Sequence, residues 1–187
     1  MRRRRGIRRI FRRAAHPLRP LGVRARRMLL QAHTLLQAGK HADAAALFDQ
    51  LAQGAQQRNL PQYPQLLVQA GRAHILAGDQ EDGIVRLTDA FQSLIDLARV
   101  ERLRKLAPSV QRFLQSQGME PAWAQLETML MEAGISIDGP EFEVTVPDRL
   151  PAKCPYCSGT LNPSEVERTS GGDALCLYCG SVVQGTG

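Results

Sequence analysis

Between about residues 25 and 134, apolar side chains return every three or four positions. Met28, Leu29, Leu35 and Leu36 form one run, and Ala45, Leu47, Phe48 and Leu51 the next. Leu66, Leu67, Ala70, Ala73 and Leu76 follow, then Ile84, Leu87, Ala90, Phe91 and Leu94. That period is the mark of amphipathic helix. Gly39, Gly78 and Gly118 punctuate the stretch at separations of 39 and 40 residues. Each ends one helical run and precedes another, as a left-handed C-cap does where the chain turns back. The pattern predicts six helices in three hairpins, over 25–38 with 41–57, 64–77 with 80–97, and 99–117 with 121–133. Pro61 and Pro64 separate the first two pairs, and Pro121 suits a first helical turn, where a missing N–H costs nothing.

A hairpin of this kind cannot bury its apolar face alone, so a regular spacing implies a stack. At the packing positions the first hairpin carries Ala32, Ala44 and Phe48, and the second Gly71, Gly83, Leu87 and Ala90. This arrangement of small and large residues resembles the tetratricopeptide repeat family over about 110 residues. The third hairpin departs from it with Gln111, Trp123 and Glu127, and reads as a cap. The spacing exceeds the family's usual ~34 residues, so a HEAT-like array of ~40–47-residue units is the alternative. The resemblance implies a mainly α fold: a short right-handed α-solenoid in which the first helix of each hairpin lines a concave groove. The groove-facing places fall on Leu29, His33 and Leu36, then Val68, Arg72 and Ile75, then Lys105, Arg112 and Gln115. Apolar residues and cations without an acid suit an acidic or C-terminal-carboxylate peptide with apolar anchors. The alternative is that three hairpins make too shallow a groove and these residues are ordinary surface.

After Gly134 the character changes. Residues 141–146 alternate polar and apolar like a short strand, and a domain boundary is expected near 138. All four cysteines follow, as Cys154, Cys157, Cys176 and Cys179, in the spacing C-x₂-C-x₁₈-C-x₂-C. Two Cys three apart can turn both sulfurs to one point, and two such knuckles joined by a hairpin build the tetrahedral S₄ shell that Zn²⁺ prefers. Residues 165–169 and 173–176 supply the hairpin around a Ser170-Gly171-Gly172 turn. This resembles a zinc ribbon over about 153–184. One structural Zn²⁺ is expected; rubredoxin-like iron and two disulfides are the alternatives. Four Cys close the shell, whereas a catalytic zinc keeps one position open. Tyr156 and Tyr178 hold equivalent places in the two knuckles, and are read as packing on the ribbon rather than stacking on nucleobases.

Charge divides the chain. The formal net charge is +6, yet residues 1–27 hold twelve of the 24 Lys and Arg and no acid. The remainder is therefore acidic, and the sequence pI of about 9.6 belongs to the arm. Residues 1–24 are expected to be a basic arm, disordered or amphipathic. Arg2, Arg3, Arg4, Arg5, Arg8, Arg9, Arg12 and Arg13 are its candidate polyanion contacts, for nucleic acid or an anionic membrane surface. The other reading is a solvated leader.

No apolar stretch reaches the roughly 20 residues of a membrane-spanning helix. No apolar segment of the secretory type follows the charged N-terminus, so a signal peptide is not expected. A zinc-protease H-E-x-x-H, a phosphate-binding loop and a dinucleotide fingerprint are missing, and His16, His33, His41 and His74 are scattered. The expectation is a non-catalytic cytoplasmic adaptor with a structural zinc ribbon and a protein partner, without a small-molecule substrate. The alternative is a nucleic-acid- or ribosome-associated binding protein anchored by the arm.

Overall fold

A computed structural model of the chain describes residues 21–136, 150–163, 166–168 and 173–184. Six helices come first: α1 (Val23–Gln37), α2 (His41–Gln57), α3 (Tyr63–Ala77), α4 (Gln80–Asp96), α5 (Val100–Ser116) and α6 (Glu120–Glu132). Three two-residue strands follow, β1 (Glu167–Arg168), β2 (Ala174–Leu175) and β3 (Val182–Val183), forming an antiparallel sheet in the order β1-β2-β3. Every helix begins and ends within two residues of its predicted bounds.

One device ends all six helices. A residue in the left-handed region terminates each: Gly39, Asn59, Gly78, Ala98, Gly118 and Gly134, at φ of 73°, 50°, 97°, 52°, 67° and 69°. The N–H of the next residue then donates to a carbonyl five positions back. These bonds run from Lys40 to Leu35, Leu60 to Ala55, Asp79 to His74, Arg99 to Leu94, Met119 to Leu114 and Ile135 to Leu130, all at 2.8–2.9 Å. This bond is the signature of a Schellman cap, which satisfies carbonyls left open at a helix end.

Packing is tightest at the centre. Helix α3 lies against both α2 and α4 and is buried over nearly its whole circumference. A Cβ on Gly71 would stand 2.8 Å from the Gly83 carbonyl oxygen, and one on Gly83 would stand 2.4 Å from the Ile75 side chain. Only glycine at both places lets the α3 and α4 backbones approach so closely. In the first hairpin Ala32, Ala44 and Phe48 are fully buried. In the third, Trp123 is buried while Gln111 and Glu127 are half-exposed, and α5 and α6 contact their neighbours less extensively. None of the described helices is long and apolar enough to cross a membrane.

The cysteine-bearing segment does not stand apart. Its Leu161, Val166, Ala174, Tyr178 and Val183 join the helical side chains in one apolar core. Leu21, assigned by composition to the arm, is buried too, and its N–H donates to the Cys179 carbonyl at 2.8 Å. The boundary near 138, the strand expected over 141–146 and the 170–172 turn lie outside the described residues. So do the eight arm arginines from Arg2 to Arg13.

Candidate metal centre

The two knuckles share one backbone. In the first, the Cys154 N–H donates to the Gly159 carbonyl, and Ser158 N–H returns to the Cys154 carbonyl, both at 2.8 Å. In the second, Cys176 N–H donates to the Ser181 carbonyl at 3.0 Å, and Gly180 N–H to the Cys176 carbonyl at 2.8 Å. Ser158 and Gly180, at matching places, both adopt left-handed φ, 57° and 71°. The Lys153–Thr160 bridge closes the first knuckle, and the β2–β3 pairing closes the second.

These turns bring four buried sulfurs together, all within 4.8 Å of one another. Cys154 Sγ lies 3.8 Å from Cys179 Sγ, and Cys157 Sγ lies 3.7 Å from Cys176 Sγ. A tetrahedral ion with metal–sulfur bonds of about 2.3 Å requires sulfur–sulfur edges of about 3.8 Å. Two of the sulfur pairs stand at that edge length and none of the four is in a disulfide, so the donor set fits one metal ion.

The proximity of the sulfurs also couples their protonation. Hydrogen bonding from Cys157 brings the Cys154 thiol down to about 7. Cys179 is likewise pulled down, chiefly by Cys154, while Cys157 and Cys176 are pushed up, again chiefly by Cys154. Four sulfurs this close do not all ionise without a cation, so Cys157 and Cys176 hold their protons while Cys154 and Cys179 tend toward thiolate. A bound cation removes that conflict.

The second knuckle rests on the helices. The Tyr178 ring meets the His33 imidazole edge-on, with centroids 5.2 Å apart, and His33 meets Phe48 in the same manner at 5.3 Å. The Tyr178 hydroxyl accepts from Gln69 Nε2 at 3.4 Å. A Cβ on Gly159 would stand 2.4 Å from the Tyr178 ring and 3.1 Å from His33 Nε2. This explains an inversion between the knuckles. The second reads Gly180-Ser181, with glycine at the left-handed place; the first reads Ser158-Gly159, because the ring of Tyr178 occupies the space a side chain would need. The equivalently placed tyrosines therefore diverge: Tyr178 is 7% exposed and Tyr156 50%. Burial pushes the His33 imidazole down to about 4, against the charge of Cys179, with Lys153 adding to the depression. On α5, Arg102 donates to the Pro61 carbonyl at 2.8 Å and lies 3.8 Å from Glu167 of β1.

The nine places assigned to a peptide groove separate into two sets. Leu29 and Val68 are fully buried, Ile75 and His33 nearly so, and Leu36 is half-buried. Arg72 is committed elsewhere, donating to Ser109 Oγ at 2.6 Å and lying over the Phe113 ring. Only Lys105, Arg112 and Gln115, all on α5, are exposed. Among the described residues, the apolar side chains at the carried-over places turn into the core, and Tyr178 of the second knuckle packs on His33.

A polar stripe on α3 was the overlooked signal. Gln62, Gln65 and Gln69 recur at helical spacing on an otherwise apolar segment, and all three are buried. An open cleft of about 510 Å³ near the α2–α3 turn, lined by residues such as Tyr63, Asp89, Asp96 and Arg99, includes none of the cysteines. Compared with protein-family models, curated proteins and solved structures, the chain matches none. Its function is therefore read from its own residues.

Proposed function

We propose that the chain is a non-catalytic adaptor, a short tetratricopeptide-like stack of helical hairpins stapled by a structural zinc ribbon. One observation carries this reading: four buried thiols gathered within 4.8 Å of one another, enough to fill every position of a tetrahedral shell with cysteine. Zn²⁺ suits such a shell because it has no geometric preference of its own, and a filled shell leaves no site for substrate. Free thiols suit a reducing compartment such as the cytoplasm. Metal analysis of the purified chain tests the assignment. About one Zn²⁺ per chain is expected for a single four-thiolate site; iron, or no metal, overturns it.

The adaptor role rests on α5. Lys105 and Arg112 are exposed cations with Gln115 one turn on, a surface suited to an acidic peptide. Lys105→Glu with Arg112→Glu should abolish binding of a partner captured by the wild-type chain and leave thermal stability nearly unchanged. Capture that survives places the interface elsewhere.

The arginine arm supports a second reading, binding of RNA or DNA through phosphates. Deleting residues 2–13 removes eight arginines. The slope of log K against log[salt] should then fall by several units. An unchanged slope ends this reading, and binding to anionic vesicles but not RNA transfers it to a membrane surface.

A further inference from the structure

The helical surface beneath the ribbon has an unusual composition. Among the described residues, the buried polar side chains of the helical segment are His33, Gln62, Gln65, Gln69 and Arg102. His33 on α1, Gln69 on α3 and Arg102 on α5 each touch the ribbon, through Tyr178 or Glu167. The ribbon also shares apolar contacts with the helices through Leu161, Val166, Ala174 and Val183, and polar groups set among such contacts are what a surface that is sometimes wet carries. Satisfaction of those groups is also incomplete. His33 Nε2 and one terminal nitrogen of Arg102 have no hydrogen-bond partner among the described residues. Burying such atoms unpaired is costly, and exposure to water relieves the cost.

The contacts opposing that release come from the metal-binding knuckles. Tyr178 adjoins Cys179, Gly159 lies two residues beyond Cys157, and the carbonyl that Leu21 engages is that of Cys179 itself. A ribbon of some 35 residues is too small to hold its shape on apolar burial alone, so the metal is what presents Tyr178 and Gly159 in register.

We propose that the ribbon is a displaceable cover on the face formed by α1, α3 and α5, held in place by its bound metal and released when the metal leaves. The partner of this face is thus the chain's own second knuckle, with the Tyr178 ring as its anchor. This rests on the metal-ribbon reading above, and the experiment separates the two.

The test is site-resolved modification of the full chain by diethyl pyrocarbonate, which acylates accessible neutral imidazole. His33 is buried beneath the ribbon, whereas His74 of α3 faces α2, paired with Asp49. Three samples are compared: the metal-loaded chain, the chain stripped by a chelator, and a loaded Gly159→Leu variant. That substitution forces Tyr178 outward without touching a ligand. Stripping should speed His33 modification about tenfold or more while His74 and the far-UV helical signal stay constant, as a local opening demands. Gly159→Leu should do the same with its metal still bound. Continued protection of His33 in both samples overturns the proposal. So does joint exposure of His33 and His74 with loss of helix, which would make the ribbon an inseparable part of the core. If the chain binds no metal, the zinc reading fails by itself, and Gly159→Leu still reports whether the ribbon is displaceable.

Discussion

Tyr178 and His33, 145 positions apart in the chain, meet edge-to-face with ring centroids 5.2 Å apart and planes inclined at 76°. Through this pair the second knuckle is joined to α1, and through Phe48 behind His33 it reaches the core of the first hairpin. Tyr156 holds the matching place in the first knuckle and faces solvent. The two tyrosines therefore form an internal control.

Tyr178→Ala should destabilise the folded chain by about 3–5 kcal/mol, the range for truncating a buried aromatic. Tyr156→Ala should cost under about 0.5 kcal/mol, as exposed substitutions do. Denaturant melts of both variants, with metal content measured alongside, check this. Equal losses would show that both rings serve the ribbon's own packing and not its seat on the helices.

Cys154→Ser opens the sulfur shell and should abolish stoichiometric metal binding. The six helices should nonetheless keep their far-UV signal, because α1 to α4 pack chiefly on one another. A variant that loses metal and helix together would show that the ribbon nucleates the array.

How far these features were legible in the sequence depends on their range. Helices α1 to α6 were readable because each carries its own period, and Gly39, Gly78 and Gly118 marked three of the six ends. Asn59 and Ala98 perform the same turn without glycine, so composition concealed them. The knuckles were readable because each ligand pair is local. The seating of Tyr178 on His33 was not, since nothing near either residue encodes the other. The burial of Leu29 and Val68 was not legible for a related reason: their orientation depends on the packing of α1 and α3, and both turn inward. Gln62, Gln65 and Gln69 did announce a polar face on a helix otherwise fit for burial, and such a stripe asks what covers it.

Ala98 supplies the next prediction. It holds φ at 52° to end α4, a conformation that crowds an L-residue's Cβ against the following carbonyl. Ala98→Gly should raise stability by about 0.5–1 kcal/mol, because relief of that crowding exceeds glycine's greater entropy in the unfolded chain. Gly78→Ala should lower stability by about 1 kcal/mol for the converse reason, since Gly78 at 97° performs the same turn for α3. Thermal melts of the two variants should shift in opposite directions.

Acid stability depends on Asp49 of α2. Its carboxylate accepts from Arg86 of α4 at 2.8 Å and lies 2.9 Å from His74 Nε2 of α3. Asp79 stands 3.7 Å from the other nitrogen of His74, and Asp82 and Asp89 act on Arg86. Burial pushes the Asp49 carboxyl up, but hydrogen bonds from Arg86 and His74 outweigh it and hold the group below its ordinary value of 3.8. A folded value below the unfolded one means that the unfolded chain binds the proton first as acid is added. The carboxylate's contribution is therefore complete above pH 3.8 and is lost as the pH falls through the lower folded value. Asp49→Asn should cost about 1 kcal/mol at pH 7, a figure kept small because the group is partly solvated and screened. Denaturant melts at a series of pH values should show wild type and variant converging on the acid side of 3.8. A difference that persists unchanged into strong acid would assign the loss to packing and not to charge.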